Sequence, residues 1–205
     1  MELLETMRVE AGGAIPLLDR HLARIANSAQ ILGFLCHSAE LRAAIKREAI
    51  KQKESVVFRL LLARDGSHEL QVKPMPTNQI TRLVLAPTRV NSADPMLRHK
   101  TTARSLYDTA RVGLPPNADA ILLNERGEAT ETTIANIAVL RDGVWITPPI
   151  SCGALAGVMR AQLLDERKLV EAVIPALVPG DLIRCLNAVR SIYDASIEPR
   201  SQGSG

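Results

Sequence analysis

Aromatic residues are nearly absent: one Trp, two Tyr and two Phe in 205 residues. Proteins that hold single-stranded nucleic acid stack its bases on aromatic side chains, so this composition argues against such a platform. Cysteine is also scarce. Cys36, Cys152 and Cys185 are odd in number, far apart and without C-x-x-C spacing. That excludes a disulfide framework and a thiolate zinc site, and predicts reduced thiols in a cytosolic protein with no metal centre. No apolar run reaches the ~18 residues that suggest a membrane span. The opening "MELLETMRVEAGG" carries acids early and lacks a signal-peptide layout. Neither sign of charge dominates. The net charge is +3, too small to imply nucleic acid or another polyanion, and compatible with a small anionic ligand.

Hydrophobic residues make up 46% of the chain, enough for a core in one large domain or two small lobes. Residues 3–9 read as a strand before the turn "EAGG". Leu18, Leu22, Ile25, Ala29 and Leu32 form a helical stripe ended by Gly33. In "SAELRAAIKREAIKQ", Ser38 is a candidate N-cap. "SVVFRLLLA" and "HELQVKPM", joined by "RDGS", read as a hairpin, and "TRLVLAP" as a further strand. Residues 88–96, "TRVNSADPM", read as a linker. Beyond it the patterns predict a helix near 102–112 and strands near 119–124, 133–140 and 143–147. A helix at 157–168 and strands near 170–174 and 182–187 complete the chain. The tail "EPRSQGSG" reads as a frayed end. The expected fold is α+β, with a small N-terminal lobe (1–87), the linker, and a larger C-terminal lobe (97–205).

Three stretches carry chemistry. In "LRHKTTARSLYD", Lys100 stands where an extended region gives way to a helix. An apolar, cation-rich pocket disfavours the ammonium and frees a nucleophilic amine. On a helix starting after Lys100, Arg104 and Tyr107 fall on its face. A solvated lysine is the commoner reading of such spacing. In "NERGEATETTIANIAVL", Glu131 enters a buried strand and needs a partner, such as a protonated heteroaromatic nitrogen; an edge-strand glutamate facing water is the alternative. In "SCGALAGVMRAQLL", Gly153 and Gly157 bracket a turn opening a helix, whose Val158 and Met159 amides suit a phosphate. An ordinary amphipathic helix would look alike. Arg24 beside the first helix's stripe is a candidate fork donor to the same phosphate, or a surface arginine.

In this order the stretches resemble the fold-type IV, or class IV, pyridoxal phosphate (PLP) dependent family. It includes branched-chain and D-amino acid aminotransferases and aminodeoxychorismate lyase. "LLETMRVEAGG", "LLDRHLARIANSAQILGF" and "CLNAVRS" extend the likeness over nearly the whole chain. The resemblance implies a D-amino acid aminotransferase-like fold with the cofactor between two lobes, and a homodimer. Lys100 matches the lysine that holds PLP covalently, and Glu131 the glutamate on the pyridine nitrogen. Arg24 matches the phosphate arginine, and Val158 and Met159 the backbone phosphate cradle. Asn187 and Ala188 match the turn that closes over phosphate and substrate. Arg59 matches a substrate-carboxylate position, with Arg104 and Tyr107 as further substrate candidates.

"HKTTARSLYD", "LLETMRV" and "GVMR" are similar to aminodeoxychorismate lyases, especially those fused behind an aminodeoxychorismate synthase component. The implied reaction releases pyruvate and 4-aminobenzoate from 4-amino-4-deoxychorismate, a step of folate biosynthesis, and implies a functional link to such a synthase. The alternatives are a class IV aminotransferase for branched-chain or D-amino acids, and a non-catalytic relative that serves as a binding or partner subunit. The strand and "G-D-G" turn that usually precede "LLETMRV" are not in the chain, and Leu4 stands where relatives often place an aromatic. Part of the pocket wall is therefore expected to be absent or to come from elsewhere.

Overall fold

The computed structural model describes residues 1–178 and 180–198; the expected frayed tail lies, from Pro199 on, outside the described residues. The chain divides into two compact units. The first holds Met1–Thr77, His99–Ala103 and Ala188–Arg190, and the second holds Asn78–Arg98, Arg104–Asn187 and the segment from Ser191. Among the described residues no helix is long and apolar enough to cross a membrane. Nor does any group of three His, Cys, Asp or Glu among them stand ready to hold a metal ion.

The first unit contains β1 (Leu3–Val9), α1 (Leu18–Leu32), α2 (Ser38–Ala49), β2 (Val56–Leu62) and β3 (His68–Pro74). The strands form an antiparallel sheet in the order β1-β2-β3. Side chains alternate across a strand. Leu3, Met7 and Val9 therefore share one face with Phe58, Leu60 and Leu62, and bury it against Leu22, Ile25 and Ala29 of α1 and Leu41 and Ile45 of α2. Each such side chain contributes about 1.5–3 kcal/mol by leaving water. Gly33 closes α1 at φ 71°, its amide donating to the Ala29 carbonyl. Ser38 is the first residue of α2 rather than its cap. His37 takes the cap position without a side-chain bond, and the Ser38 hydroxyl lies 3.7 Å from the Cys36 sulfur.

The second unit begins with β4 (Arg82–Val90), α3 (Ser105–Arg111), β5 (Ala118–Asn124), β6 (Ala129–Thr132), β7 (Asn136–Arg141) and β8 (Val144–Thr147). It continues with α4 (Val158–Asp165), β9 (Val170–Glu171), β10 (Ile183–Asn187) and β11 (Ser191–Ile197). The strand order is β10-β11-β4-β5-β6-β7-β8-β9, and β10 also pairs with β7. That extra pairing closes six strands into a ring. Leu83, Ile121, Leu123, Ile137, Val139, Ile183 and Ile197 fill one cluster. The alternate residues of β5, Ala120 and Leu122, pack with Ala110 of α3. Burial on both faces explains why every residue of β5 is buried.

Three segments differ from the sequence pattern. Residues 88–96 are the end of β4, a turn and the start of a 3-10 turn over Pro95–Arg98. The apolar run in "TTIANIAVL" hides a reversal: the Thr132 amide donates to the Ala135 carbonyl at 2.8 Å. Thr132 Oγ1 accepts from the Ala135 amide at 3.0 Å. β6 and β7 are therefore separate strands. β11 was not expected, because its pairing partners, β10 and the distant parallel β4, are not visible locally.

Candidate active site

In the first unit, residues 99–103 pass beside β1, with bends at His99 and Thr102 and a bridge at Thr101. The Leu4 amide donates to the Lys100 carbonyl at 2.9 Å, and the Thr102 amide to the Glu2 carbonyl at 3.0 Å. Leu3 bridges Thr101 between them. This pairing keeps Lys100 off a helix. Its expected helical face with Arg104 and Tyr107 does not form, because α3 begins only at Ser105 with Arg104 as its cap residue. Alternation sets the direction of Lys100 instead. His99 reaches α1, its Nδ1 2.9 Å from Ser28 Oγ, and Thr101 pairs with the core residue Leu3. By the same alternation Lys100 takes the register position opposite Leu4, on the face of Leu4 and Thr6. Arg59 belongs to that face too, since it pairs in register with Thr6 and Gln71. Two strand spacings, roughly 10 Å, separate their backbones across the sheet.

On the core side of β1, Glu5 is 1% exposed. Arg24 of α1 grips it with two bonds, Nε to Oε1 at 2.8 Å and Nη2 to Oε2 at 2.6 Å. His21 Nδ1 lies 2.6 Å from the same Oε2. Burial pushes the Glu5 carboxyl up, but the Arg24 charge and the His21 contact outweigh it and hold the pKa at about 2. Arg24 is thus a fixed cation on a nearly buried helix face. Glu5 and His21 are not among the residues expected from sequence, although their signal is present: Glu5 alternates with Leu3, Met7 and Val9, and His21 sits within the Leu18–Leu22–Ile25 stripe.

In the second unit, Glu131 is 4% exposed and both its oxygens are held. Tyr107 donates its hydroxyl to Oε1 at 2.9 Å, and Asn136 Nδ2 donates to Oε2 at 3.1 Å. Arg104 lies over the Tyr107 ring, 4.8 Å from its centre, and donates to the Thr133 carbonyl at 2.6 Å. Burial, then the Glu131 charge and hydrogen bond, raise the Tyr107 phenol far above its ordinary range. Tyr107 is therefore a donor at every ordinary pH. The structure brings Glu131, Arg104 and Tyr107 into one cluster, joined by Asn136, to which the sequence pattern assigns no role.

α4 starts at Val158 after the cap residue Gly157, which carries no side-chain cap. The first-turn amides, those of Val158 and Met159 among them, have no acceptor within the helix and suit an anion. Arg160 anchors this helix from inside: it is 3% exposed, donates to the Pro148 carbonyl at 2.8 Å and pairs with Glu171. Asn187 ends β10, and its Nδ2 lies 3.4 Å from the Ile134 carbonyl. Ala188 begins the three-residue turn to β11 and belongs to the first unit.

A family model described as amino-transferase class IV matches residues 2–195. A fission yeast protein (Schizosaccharomyces pombe), provisionally named an aminodeoxychorismate lyase, is 31% identical over 166 residues, 78% of this chain and 72% of its own. A crystal structure from Mesorhizobium loti, provisionally named an amino-acid aminotransferase, superposes with a TM-score of 0.86 at 35% identity; the match covers 96% of this chain and 99% of that one. The 4-amino-4-deoxychorismate lyase of Pseudomonas aeruginosa is similar in fold, with a TM-score of 0.82 at 20% identity over 97% of this chain and 83% of its own.

Proposed function

Because this chain belongs to the amino-transferase class IV family, whose members are PLP-dependent enzymes, we propose that it is a lyase acting on 4-amino-4-deoxychorismate, releasing pyruvate and 4-aminobenzoate. The observation that carries this reading is the 31% likeness to the fission yeast protein over most of both chains. It agrees with the "HKTTARSLYD" and "GVMR" stretches.

The residues fit the cofactor by their chemistry. A buried carboxylate with a donor on each oxygen suits a cationic ring nitrogen, and the first-turn amides of α4, which have no acceptor within the helix, suit a phosphate together with the fixed Arg24 cation. Bound PLP supplies an electron sink for the carbon that bears the substrate nitrogen. Lys100 would hold the cofactor through Nζ, and its free amine would take the proton from that carbon. Glu131 would keep the proton on the ring nitrogen. Arg24 and the amides of Val158 and Met159 would hold the phosphate, with Asn187 and Ala188 closing over it. Arg59, on the same sheet face as Lys100, takes a substrate carboxylate. Arg104 and Tyr107, our other substrate contacts, also brace Glu131. A homodimer, a cytoplasmic setting and supply by an aminodeoxychorismate synthase go with this reading.

Amino acid transamination is the second reading, favoured by the 35% likeness to the Mesorhizobium loti protein over nearly its full length. Stopped-flow spectra separate the two. A lyase releases pyruvate from aminodeoxychorismate and leaves the aldehyde form of the cofactor in place. An aminotransferase converts that cofactor to its amine form with an amino acid. Absence of pyruvate release, together with that conversion, overturns the first reading.

A further inference from the structure

Asn136 opens β7 and pairs in register with Glu131 of β6. Cross-strand partners put their side chains on the same face. Its amide nitrogen is divided between two acceptors: Glu131 Oε2 at 3.1 Å and the Leu155 carbonyl at 2.9 Å. An amide NH2 has two donors, so both are spent. Its Oδ1 lies directly over Gly157. A Cβ added at Gly157 would overlap that oxygen and come within 2.9 Å of Asn136 Cγ.

The backbone of Gly157 is ordinary, at φ −69° and ψ 137°, a conformation any L-residue adopts. Apart from Asn136, the nearest neighbour a Cβ would meet is Arg160 Cβ, at a comfortable 3.7 Å. Backbone geometry therefore does not require glycine here; the Asn136 side chain does. Gly157 is also the residue that caps α4, its carbonyl accepting from the Ala161 amide. One side chain thus touches the carboxylate on one side and the entry to the anion-binding helix on the other.

We propose that Asn136 is a positioning residue that locks Glu131 to the N-terminus of α4, with Gly157 as the opening that admits it. The lock fixes the separation of a carboxylate and a set of amides. A rigid ring with a cationic nitrogen and a phosphate needs that separation constant. This rests on the reading that Glu131 and the α4 amides hold two ends of one cofactor.

The test is a pair of double-variant cycles read by PLP affinity of the resolved enzyme and by thermal midpoint. Groups that orient a ligating side chain commonly change affinity by about 10–100-fold at metal sites, and the same order is expected here. Gly157→Ala is expected to weaken PLP by that order. In an Asn136→Ala background the same substitution should cost less than about threefold, because the obstructing side chain is gone. Asn136→Ala should weaken PLP at least about tenfold alone, and less than about threefold in a Glu131→Gln background. Equal costs of Gly157→Ala in both backgrounds, or of Asn136→Ala with and without Glu131, overturn the lock. Should Gly157→Ala fail to fold, recovery of a cooperative melt in Asn136→Ala/Gly157→Ala supports the proposal, and continued failure overturns it. Lack of PLP uptake by the unaltered protein defeats the reading of the site. The thermal cycle at Asn136 and Gly157 then still decides the steric lock.

Discussion

Glu5 places a carboxylate on the core face of a strand, where an unpaired charge would be costly. Arg24 and His21 make that position tolerable, and together they hold its pKa well below the ordinary 4.5, at about 2. A depressed carboxyl pKa means the unfolded chain binds the extra proton below 4.5. The stabilisation is therefore complete above pH 4.5 and is lost as pH falls towards 2. At about 1.4 kcal/mol per unit the difference amounts to about 3 kcal/mol. Glu5→Gln is expected to lower the urea midpoint strongly at pH 7, and the gap to the unaltered protein should narrow steadily between pH 4.5 and 2. A gap constant with pH would contradict this account. The thiols make a second test. Burial raises Cys152 to about 11 and Cys185 to about 12, whereas Cys36 is only half-buried. Iodoacetamide at pH 8 should label Cys36 first in the folded protein, with the other two reacting only on unfolding, as mass spectrometry would show.

Elements are held at their ends. Gly33 stops α1 in the left-handed region, and a Cβ there would meet only the Arg64 guanidinium at 3.6 Å. The cost of Gly33→Ala is therefore conformational, about 1–2 kcal/mol, and Gly33→Asn should cost less because Asn tolerates that region. Urea midpoints of the two variants check the order. The reversal between β6 and β7 depends on a hydroxyl: Thr132 Oγ1 accepts from the Ala135 amide at 3.0 Å and donates to its carbonyl at 3.1 Å. Thr132→Val keeps the shape and leaves the buried Ala135 amide unpaired, while the Ala135 carbonyl keeps the Thr132 amide; the expected loss is about 1–3 kcal/mol, which Thr132→Ser restores. The turn directly follows Glu131, so the same variant should weaken PLP.

At the scale of the whole molecule, each unit carries its own apolar cluster and its own share of the residues we propose for the cofactor and substrate. Lys100, Arg24 and Arg59 belong to the first unit, Glu131, Val158 and Met159 to the second. A ligand that binds only the folded chain raises its stability by mass action, about 3 kcal/mol at a hundred times its dissociation constant. Removing PLP should lower the thermal midpoint, and adding it back should restore the value. Borohydride reduction of the loaded enzyme should add the cofactor mass to the tryptic peptide that holds Lys100. Lys100→Ala should lose that adduct and the associated visible band while keeping part of the thermal shift, since the phosphate and ring contacts do not involve the lysine.

Local pattern by itself determined most of the secondary structure. The stripe of α1 and its glycine stop, the hairpin of β2 and β3, and the isolated Lys100 were all legible, because periodicity and turn chemistry act within a few residues. So was the family likeness, since it lies in short stretches of fixed order. Tertiary structure decided the rest. The spacing placed Arg104 and Tyr107 on one face with Lys100 along a helix starting after it, yet pairing with β1 holds Lys100 off the helix, at a register position on the sheet face that Arg59 shares. Glu131 read as standing at the edge of a strand over 133–140, and only the turn at Thr132 to Ala135 sets it opposite Asn136. The grips of Arg24 on Glu5 and of Asn136 over Gly157 join residues whose interaction depends on strand register and helix placement. Such contacts arise from packing over distance, which no window of sequence contains.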